Sequence, residues 1–440
     1  MNEKMKNTLI KKLAKQEKKD VERMAETIGR FAEPGLEEFK SAGLMADYMT
    51  DNGFSVEFPW KQIPTGFIAR WGSGKPSIGI LAEYDALPDC GEKKGTWGHG
   101  CGHNLLGAGA AAGAVMAKKA FEQMKLNGTV VLWGCPAEEL LAGKVYMARE
   151  GAFRENDMIL GWHPDTKARV KPAGGAALDS VMFEFYGKTA HGASAHNGRS
   201  ALDGVMLLDV AANYLREHVP ENVRMHMCVP DGGKAPNVVP DFARAWYYVR
   251  GKDRTQVDEV RRRLIACAKG AAMATGTRVR TKRLTGLYSR LPNEKLAVLV
   301  HKNLKVFGKQ SVTASDRKRA RKTIAKPEFV TGVKEPDWSR GRASSDEDNV
   351  SWLAPTMVFT TSTRCMGVAG HHRETTIHSM FPYAYRGALK AAQVFAATAV
   401  DLASSARDCG AVTAEFRKKT RGFTYDPLVP KNQKPPGVNP

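Results

Sequence analysis

The 440-residue sequence lacks two kinds of apolar segment. It has no uninterrupted apolar run of about eighteen residues, which a membrane-spanning helix requires. Its N-terminal segment, MNEKMKNTLIKKLAKQEKKD, is charged throughout and contains no apolar core of a secretory signal peptide. These absences predict a soluble, cytoplasmic protein that has no membrane partner.

The distribution of cysteine and aromatic residues argues against two further classes, disulfide-rich proteins and nucleic-acid-binding proteins. The seven cysteines, an odd number scattered along the chain, fit a reducing compartment better than a disulfide framework. The formal net charge is +20, but the densest basic run, DRKRARK at 316–322, has no aromatic side chain that would stack on a base. We therefore expect no nucleic-acid partner and interpret this run as solvated surface. The positive charge suits the steering of a small anion towards a cleft.

Helical and strand patterns alternate along most of the chain, which is typical of an α/β fold. Apolar strand-like runs occur in SIGILAEYDALPD, GTVVLWGCPAEE and DMILGWHPD. Helical periodicity occurs at residues 17–31 and in the alanine-rich segment 105–125. The sequence therefore predicts a main α/β domain.

The pattern changes at about residue 176 to two long helices and several alternating strands, which is typical of an inserted α+β domain. We expect residues 1–177 and 292–440 to form the main domain, with the inserted domain over residues 178–291. The proline-rich segment GFTYDPLVPKNQKPPGVNP is expected to run extended over the surface.

Three strand-like segments end in side chains that are suited to chemistry. These are Asp85, the adjacent Glu138 and Glu139, and His163. In open α/β sheets, sites form at the carboxyl ends of the strands, so these groups are expected to converge.

The loop GHGCGHNLLG places Cys101 and His103 two positions apart. On its own this spacing fits a buried thiol beside a satisfied histidine as well as it fits a metal site. Together with the strand-end groups and the histidine-rich segment GHHRETTIHS, it offers thiolate, imidazole and carboxylate ligands of the kinds that divalent transition metals accept. The set predicts one or two bound divalent ions. Manganese or zinc is expected first, and cobalt and iron stay alternatives, because this mixed ligand set accepts several metals.

The two adjacent glutamates follow an apolar strand that should be buried. Burying two unpaired acids is costly, and a nearby cation would remove that cost. We expect Glu139 to bind metal, whereas Glu138 stays free to take a proton from metal-bound water and pass it to a leaving nitrogen. This chemistry is metal-assisted hydrolysis.

Several segments resemble the signature sequences of the M20 metallopeptidase and amidohydrolase family, and in particular the branch of the aminobenzoyl-glutamate hydrolase B subunits. These segments are EYDALP, GHGCGHNLLG, CPAEE, GWHP, GKTAHGASAHNGRSALD, APNVVPDFARAWYYVR and SSDEDNVSW. They occur in the expected order, and the similarity extends from about residue 25 to residue 405. The resemblance implies a catalytic α/β domain interrupted by an α+β domain that serves as a lid and dimerisation surface, and hence a homodimer or larger homo-oligomer.

The resemblance also implies a role for each matching residue. Cys101 would bridge two metals, Glu138 would be the general base, and Asp85 would support the ligands by hydrogen bonding. The other implied ligands are His103, Glu139, His163 and His371.

The last of these ligands has competitors, because GHHRETTIHS contains His371, His372 and His378. Ungapped matching to the related branch favours His371. His378 lies in an HSM context similar to the HSP of other branches, and it stays an alternative.

In the inserted domain, His191 in TAHGA and Asn237 in APNVVP resemble the lid residues of the family that contact substrate, often across the dimer. The chain departs from the branch at Arg290, where an uncharged residue is common. This arginine is expected either to pair with a carboxylate or nitro group of the substrate or to be a surface charge. The segment 309–343 also departs from the family and is expected to form a loop bordering the site.

The substrate implied by the resemblance is a small anionic aromatic compound. The first expectation is hydrolysis of an amide of the aminobenzoyl-glutamate type, with His191 stabilising the oxyanion. An alternative is hydrolytic removal of an amino group from an activated ring, because one family member acts on 5-nitroanthranilate. A third possibility is a binding protein that has the fold but no catalysis, against which the intact ligand set and Glu138 argue.

Overall fold

The computed structural model describes residues 2–436, which form two β-sheets, each with its own helices. The strands are β1 Ser55–Glu57, β2 Phe67–Ser73, β3 Ser77–Ala82, β4 Gly128–Gly134, β5 Met158–Asp165, β6 Arg169–Val170, β7 Ala177–Tyr186, β8 Arg224–Asp231, β9 Phe242–Gly251, β10 Arg278–Leu287 and β11 Thr356–Ser362. The helices are α1 Glu3–Phe31, α2 Phe39–Asp51, α3 His103–Met124, α4 Gly143–Arg149, α5 Ala201–Glu217, α6 Arg254–Thr275, α7 Glu294–Phe307, α8 Ala314–Ala320, α9 Glu347–Val350, α10 Arg373–Ser379, α11 Pro382–Ser404 and α12 Ala406–Lys419. Within the described residues, no helix is both long and apolar enough to cross a membrane.

The larger sheet has seven strands in the order β1-β2-β4-β3-β5-β11-β6. Its central strands β4, β3, β5 and β11 are parallel, whereas β1, β2 and β6 pair antiparallel at the two sides. The α/β main domain expected from the sequence is confirmed.

Both faces of the larger sheet are covered, because successive side chains of a strand point to opposite faces. In β4, Val130 and Leu132 pack into one core with α1, α2, α3, α7 and α11. Val131 and Trp133 pack into a second core on the other face, which includes α4. A sheet that is covered on both faces explains the nearly continuous apolar runs of its parallel strands.

Helix α3 packs very closely against α11 and the sheet. A Cβ atom on Gly109 would lie 2.9 Å from the Trp162 ring, and one on Gly113 would lie 2.8 Å from the Phe395 ring. Glycine at these positions therefore allows the close approach that brings the start of α3 to the edge of the sheet.

The smaller sheet is antiparallel, in the order β10-β7-β9-β8, and α5 and α6 cover one of its faces. In β9, Tyr247 and Val249 are buried beneath these helices, whereas Tyr248 and Arg250 lie on the opposite face. The expected inserted α+β domain is confirmed, and its exact boundaries at 177/178 and 291/292 stay a prediction.

One local expectation from the sequence is wrong, and another holds only in part. Helix α1 begins at Glu3, far before residue 17, because Ile10 and Leu13 extend the apolar stripe towards the N-terminus. The proline-rich segment lacks helix and strand over residues 423–436, as expected, but Leu428 and Val429 within it are buried.

Candidate metal centre

Side chains at three strand ends meet at one edge of the larger sheet. Strands β3, β4, β5 and β11 are parallel, so their carboxyl ends lie at the same edge. Asp85 follows β3, Glu138 and Glu139 follow β4, and His163 lies near the end of β5. The predicted convergence of these groups therefore has a direct topological cause.

Cys101 and His163 are in contact at this edge. The Cys101 Sγ lies 3.1 Å from Nε2 of His163. The Nδ1–H of His163 donates to the Pro164 carbonyl oxygen at 2.8 Å, which leaves Nε2 without a proton beside the thiol. Gly102, which follows Cys101, has a φ of 88°, and this left-handed conformation lets the loop turn directly into α3.

His103 is the first residue of α3 and is completely buried. Its Nδ1 lies 2.7 Å from Asp85 Oδ1, and because a carboxylate only accepts, this contact places a proton on Nδ1 and leaves Nε2 for a different partner. That Nε2 atom has no hydrogen-bond partner among the described residues. It faces carboxylate oxygens of Glu83, Glu139 and Glu138 at 3.4, 3.8 and 4.0 Å.

Glu139 and His371 form the other side of the cluster. The Oε2 of Glu139 lies 3.5 Å from Nε2 of His371, and its backbone N–H donates to Asp85 Oδ2 at 2.8 Å. The backbone N–H of His371 donates to the Gly100 carbonyl oxygen at 2.9 Å. This bond ties the histidine-rich segment to the loop that carries Cys101.

Two groups of three possible ligands share Cys101. Within each group the ligand atoms all lie within 4.8 Å of one another. One group is Cys101, His103 and His163, and the other is Cys101, Glu139 and His371. Two ligand groups with a common thiol form the arrangement that two ions bridged by a thiolate would need.

The electrostatics of these buried ligands favour a bound cation. Burial raises the pKa of the Cys101 thiol to about 12 and that of Glu139 to about 7, although both bind metals as anions. Burial lowers the pKa of His163 to about 3, so its ring is neutral and able to bind a metal. The buried Glu139 Oε1 has no hydrogen-bond partner among residues 2–436. The residues thus fit a divalent metal centre.

Glu138 lies in a third group of possible ligands, with Glu83 and His103, and belongs to neither group that contains Cys101. Burial, together with the negative charges of Glu83 and Glu139, raises the pKa of Glu138 well above its usual value. A carboxylate whose pKa is raised holds a proton more readily, which suits a proton-transfer role.

A buried lysine balances part of the negative charge behind the cluster. The Lys144 Nζ lies 2.6 Å from Glu83 Oε1 and 2.6 Å from Asp346 Oδ1, and all three side chains are almost fully buried. Burial disfavours the charged lysine, but Asp346 and Glu83 raise its pKa well above the usual value. Lys144 therefore provides a permanent positive charge between two carboxylates.

The cluster opens into a cavity of about 650 Å³ between the two sheets. Strand β9 of the smaller sheet contributes Tyr248 and Arg250 to its wall. Five basic side chains line it: Arg169, Lys171, Arg250, Arg290 and Arg364. Residues 337–345 also line it, so the segment expected as a bordering loop does border the cavity at its C-terminal end.

Residues 177–275, which include β7, α5, β8, β9 and α6, match the M20 peptidase dimerisation domain. The B subunit of p-aminobenzoyl-glutamate hydrolase from Escherichia coli strain K12 is 33% identical over 94% of this chain and 95% of its own length. The chain belongs to the M20 family of metal-dependent amidohydrolases.

Two solved structures share the fold of this M20 chain. A dinuclear metal-binding M20 peptidase from Bacillus subtilis is 19% identical, with a TM-score of 0.60 over 89% of this chain and 99% of its own. The aminobenzoyl-glutamate utilization protein from Klebsiella pneumoniae is 17% identical, with a TM-score of 0.59 over 86% of this chain and 98% of its own. These likenesses confirm the fold of a catalytic domain with an inserted lid and dimerisation domain.

In this M20 chain, the two predicted lid residues lie together but away from the cluster. His191 and Asn237 are exposed, and the Gly192 N–H donates to the Asn237 carbonyl oxygen at 2.8 Å. Neither side chain lines the cavity of its own chain. The structure of one chain therefore brings these residues to each other and not to the metal ligands.

The structure places Arg290 at the cavity with protein partners for its guanidinium. It donates to Asp348 Oδ1 at 2.6 Å, to Glu347 Oε2 at 3.1 Å and to the Lys171 carbonyl oxygen at 3.1 Å. It is only 4% exposed, so the surface-charge alternative is wrong.

The two competing histidines of the C-terminal segment lie in different environments. His371 contacts Glu139, whereas His378 is buried with Nε2 2.8 Å from Thr323 Oγ1. His378 lines a separate small cavity that contains no member of the two ligand groups.

Sequence reasoning missed Glu83, Lys144, Arg250 and Arg364. A sequence signal existed for two of these residues. Glu83 lies two residues before Asp85. Arg364 follows the end of a parallel strand, β11, just as His163 lies near the end of the parallel strand β5. Arg250 alternates with buried residues of β9. No local pattern indicates Lys144, because its partner Asp346 is distant in sequence.

Proposed function

We propose that the protein hydrolyses a C–N bond of a small anionic aromatic compound, an amide of the aminobenzoyl-glutamate type. The observation that carries this proposal is the pair of ligand groups sharing Cys101, with Glu138 beside them at the base of a cavity. The relation to the B subunit of p-aminobenzoyl-glutamate hydrolase supports the choice of an aryl amide.

In this proposal Cys101, His103, Glu139, His163 and His371 hold one or two divalent ions, with manganese or zinc as the expected metals. When bound, the ions polarise the substrate carbonyl and lower the pKa of a water molecule. Asp85 fixes His103 and the Glu139 backbone in position by the two hydrogen bonds described above.

Glu138 accepts the proton of the attacking water and delivers it to the leaving nitrogen. Its raised pKa supports this role, because the carboxylate must hold the proton between the two steps. The cavity suits an anionic aromatic substrate, since it combines Tyr248 with basic side chains such as Arg250.

The inserted domain completes the site from a second copy of the chain in this proposal. Strand β8 is an edge strand, and α5 exposes the apolar side chains Met206, Val210 and Tyr214 on one stripe. Pairing of two chains through β8 and the exposed face of α5 would place the exposed His191 and Asn237 of one chain at the cavity of the other. There His191 would stabilise the oxyanion and Asn237 would contact substrate.

Product analysis tests the proposal. Metal-loaded protein incubated with p-aminobenzoyl-glutamate should release glutamate and p-aminobenzoate, and removal of the metal with a chelator should stop the release. The matched assay uses 5-nitroanthranilate. Release of ammonia from 5-nitroanthranilate, with no cleavage of p-aminobenzoyl-glutamate, would contradict the proposed reaction. If neither compound is hydrolysed, the protein is not a C–N hydrolase of such compounds.

A further inference from the structure

Arg364 follows β11, the fourth parallel strand, at the edge of the larger sheet where the candidate metal ligands lie. Strand β11 ends at Ser362, and its register pairs Thr360 with His163 and Ser362 with Asp165 of β5. Arg364 therefore lies two residues beyond the end of β11, where its guanidinium reaches the backbone of Pro164, the residue after the candidate ligand His163. Its side chain is nine-tenths buried, with 9% exposure, and lines the cavity.

The guanidinium of Arg364 has few protein partners. Its Nη1 donates to the Pro164 carbonyl oxygen at 3.2 Å, and its buried Nε has no hydrogen-bond partner among the described residues. Within residues 2–436, no carboxylate oxygen lies within 4.0 Å of it. The edge formed by Nε and Nη2, which can hold a carboxylate through two parallel hydrogen bonds, is thus without an acceptor.

Two other arginines of the same cavity are paired with carboxylates, whereas Arg250, which also lines it, has no carboxylate within 4.0 Å among residues 2–436 and has a buried Nε without a hydrogen-bond partner. Arg169 pairs with Asp337 at 2.7 Å, and Arg290 pairs with Asp348 at 2.6 Å and Glu347 at 3.1 Å. An arginine stays charged in a protein, and a buried charge without a counter-ion is unfavourable. Among the described residues, Arg364 thus lacks the directly paired carboxylate that Arg169 and Arg290 have, and Asp165 interacts with its charge only at longer range.

We propose that Arg364 binds a carboxylate of the substrate and makes the enzyme selective for anionic compounds. The Pro164 carbonyl oxygen accepts from both Arg364 and His163, so the guanidinium lies one hydrogen-bonded atom away from a candidate metal ligand. A small substrate whose scissile bond lies at the cluster reaches Arg364 with a carboxylate close to that bond. The inference rests on the proposed function and names the group that the site recognises.

The test uses the metal-loaded, full-length protein and compares substrates and ligands that carry carboxylates with an uncharged analogue. The kinetic arm measures KM and kcat for p-aminobenzoyl-glutamate and for its diamide. The binding arm measures the affinities of p-aminobenzoate and of glutamate by calorimetry, so that a ring carboxylate and an amino-acid carboxylate are distinguished. The variants are Arg364→Met, Arg364→Lys and the control Arg169→Met, which removes a neutralised cation from the same wall.

Arg364→Met should raise the KM for p-aminobenzoyl-glutamate, or the Kd for the preferred carboxylate, by about tenfold or more, because it removes a charge-assisted pair. The KM for the diamide should change by less than about threefold, since no ion pair is lost. Arg364→Lys should retain part of the selectivity as a point charge. Arg169→Met should leave the ratio of the two substrates nearly unchanged.

Two results would overturn the assignment. One is an equal loss for charged and uncharged compounds in Arg364→Met, which would indicate that the side chain only supports the Pro164 backbone. The other is an unchanged KM and Kd. If the wild type binds carboxylates through Arg364 but hydrolyses neither amide, the proposed function fails while the assignment of Arg364 stands.

Discussion

Glu138 and Glu139 are adjacent in sequence but differ in their contacts. Glu139 faces His371 and belongs to a ligand group with Cys101, whereas Glu138 belongs to neither group that contains Cys101. Glu138→Gln should lower kcat by a factor of about 10² to 10⁴, because the amide cannot take up a proton. The measurement is turnover together with metal content, which should stay at the wild-type level.

Glu139→Gln is the matched variant, because it makes the same change one residue later. It should lose metal, since a neutral amide is a poorer ligand than a carboxylate. Near-normal turnover in Glu138→Gln would disprove the proton-transfer role.

Cys101 is common to both ligand groups, so its loss should affect both ions. Cys101→Ala should lower the metal content measured by elemental analysis, because a methyl group cannot replace a bridging thiolate. His378→Ala provides the control, since His378 contacts Thr323 and should leave the metal content unchanged. If Cys101→Ala retains its full metal complement, the proposed centre is wrong.

Lys144 stabilises two buried carboxylates, and its removal leaves them without a partner. Lys144→Met should lower the free energy of unfolding by about 3–5 kcal/mol, as measured by denaturant unfolding. Lys75→Met removes an exposed pair with Asp157 and should cost less than about 1 kcal/mol. If the two variants lower the free energy of unfolding equally, the buried ion pairs of Lys144 with Glu83 and Asp346 contribute little to stability.

The sequence predicted many of the residues that the structure brings together, for a physical reason. Strand ends and a cysteine–histidine loop are local patterns, so Cys101, Glu139 and His163 could be singled out without the fold. Lys144 and Arg364 depend on their surroundings in three dimensions. Lys144 acquires its role from Asp346, and the role proposed for Arg364 depends on its having no directly paired carboxylate among the described residues.

At the scale of secondary structure, prediction succeeded where one periodicity was clear. The alternation predicted for the strands of the inserted domain is confirmed in β9, where buried and more exposed residues alternate strictly from Phe242 to Gly251. Strand β10 was not singled out, because its first half, RVRTKR, is basic and partly exposed. Helix α1 was placed too short because the charged N-terminal turns obscured the apolar stripe through Ile10 and Leu13.

The proline-rich segment, most of which is at least partly exposed, also contacts elements of both domains. Gln433 Nε2 donates to the Arg283 carbonyl oxygen of β10 and to the Tyr146 hydroxyl of α4, both at 2.9 Å. Leu428 is 7% exposed and lies against Gly286 of β10. These contacts support the position of the inserted domain relative to the cavity.

Leu428→Ala tests this contribution to stability. It should lower the free energy of unfolding by about 2 kcal/mol or more, because a buried side chain is lost and a gap remains. Lys431→Ala in the same segment is the control, since Lys431 is exposed and should have almost no effect. A thermal or denaturant transition unchanged by Leu428→Ala would indicate that the segment is only loosely associated.

At the scale of the whole molecule, the inserted domain presents an apolar stripe on α5. Met206, Val210 and Tyr214 are 55%, 49% and 74% exposed. Val210→Glu should convert a dimer into a monomer in light scattering, because a charge would be buried in the pairing surface. Turnover should fall as well, since His191 and Asn237 would no longer reach the cavity of a partner.

Val298→Glu is the matched control for this variant. Val298 is a 66% exposed valine on α7 of the larger domain, so its replacement should leave both mass and turnover unchanged. A Val210→Glu protein that keeps the wild-type mass would exclude α5 from the pairing surface.

The most direct test of the proposed metal centre is anomalous X-ray diffraction from crystals grown with Mn²⁺ or Zn²⁺. We expect anomalous peaks about 2.0–2.4 Å from the ligand atoms of Cys101, His103, Glu139, His163 and His371, with Cys101 shared if two ions bind. The absence of any peak among these side chains, with the metal present in the crystal, would contradict a metal-dependent hydrolase built on these ligands.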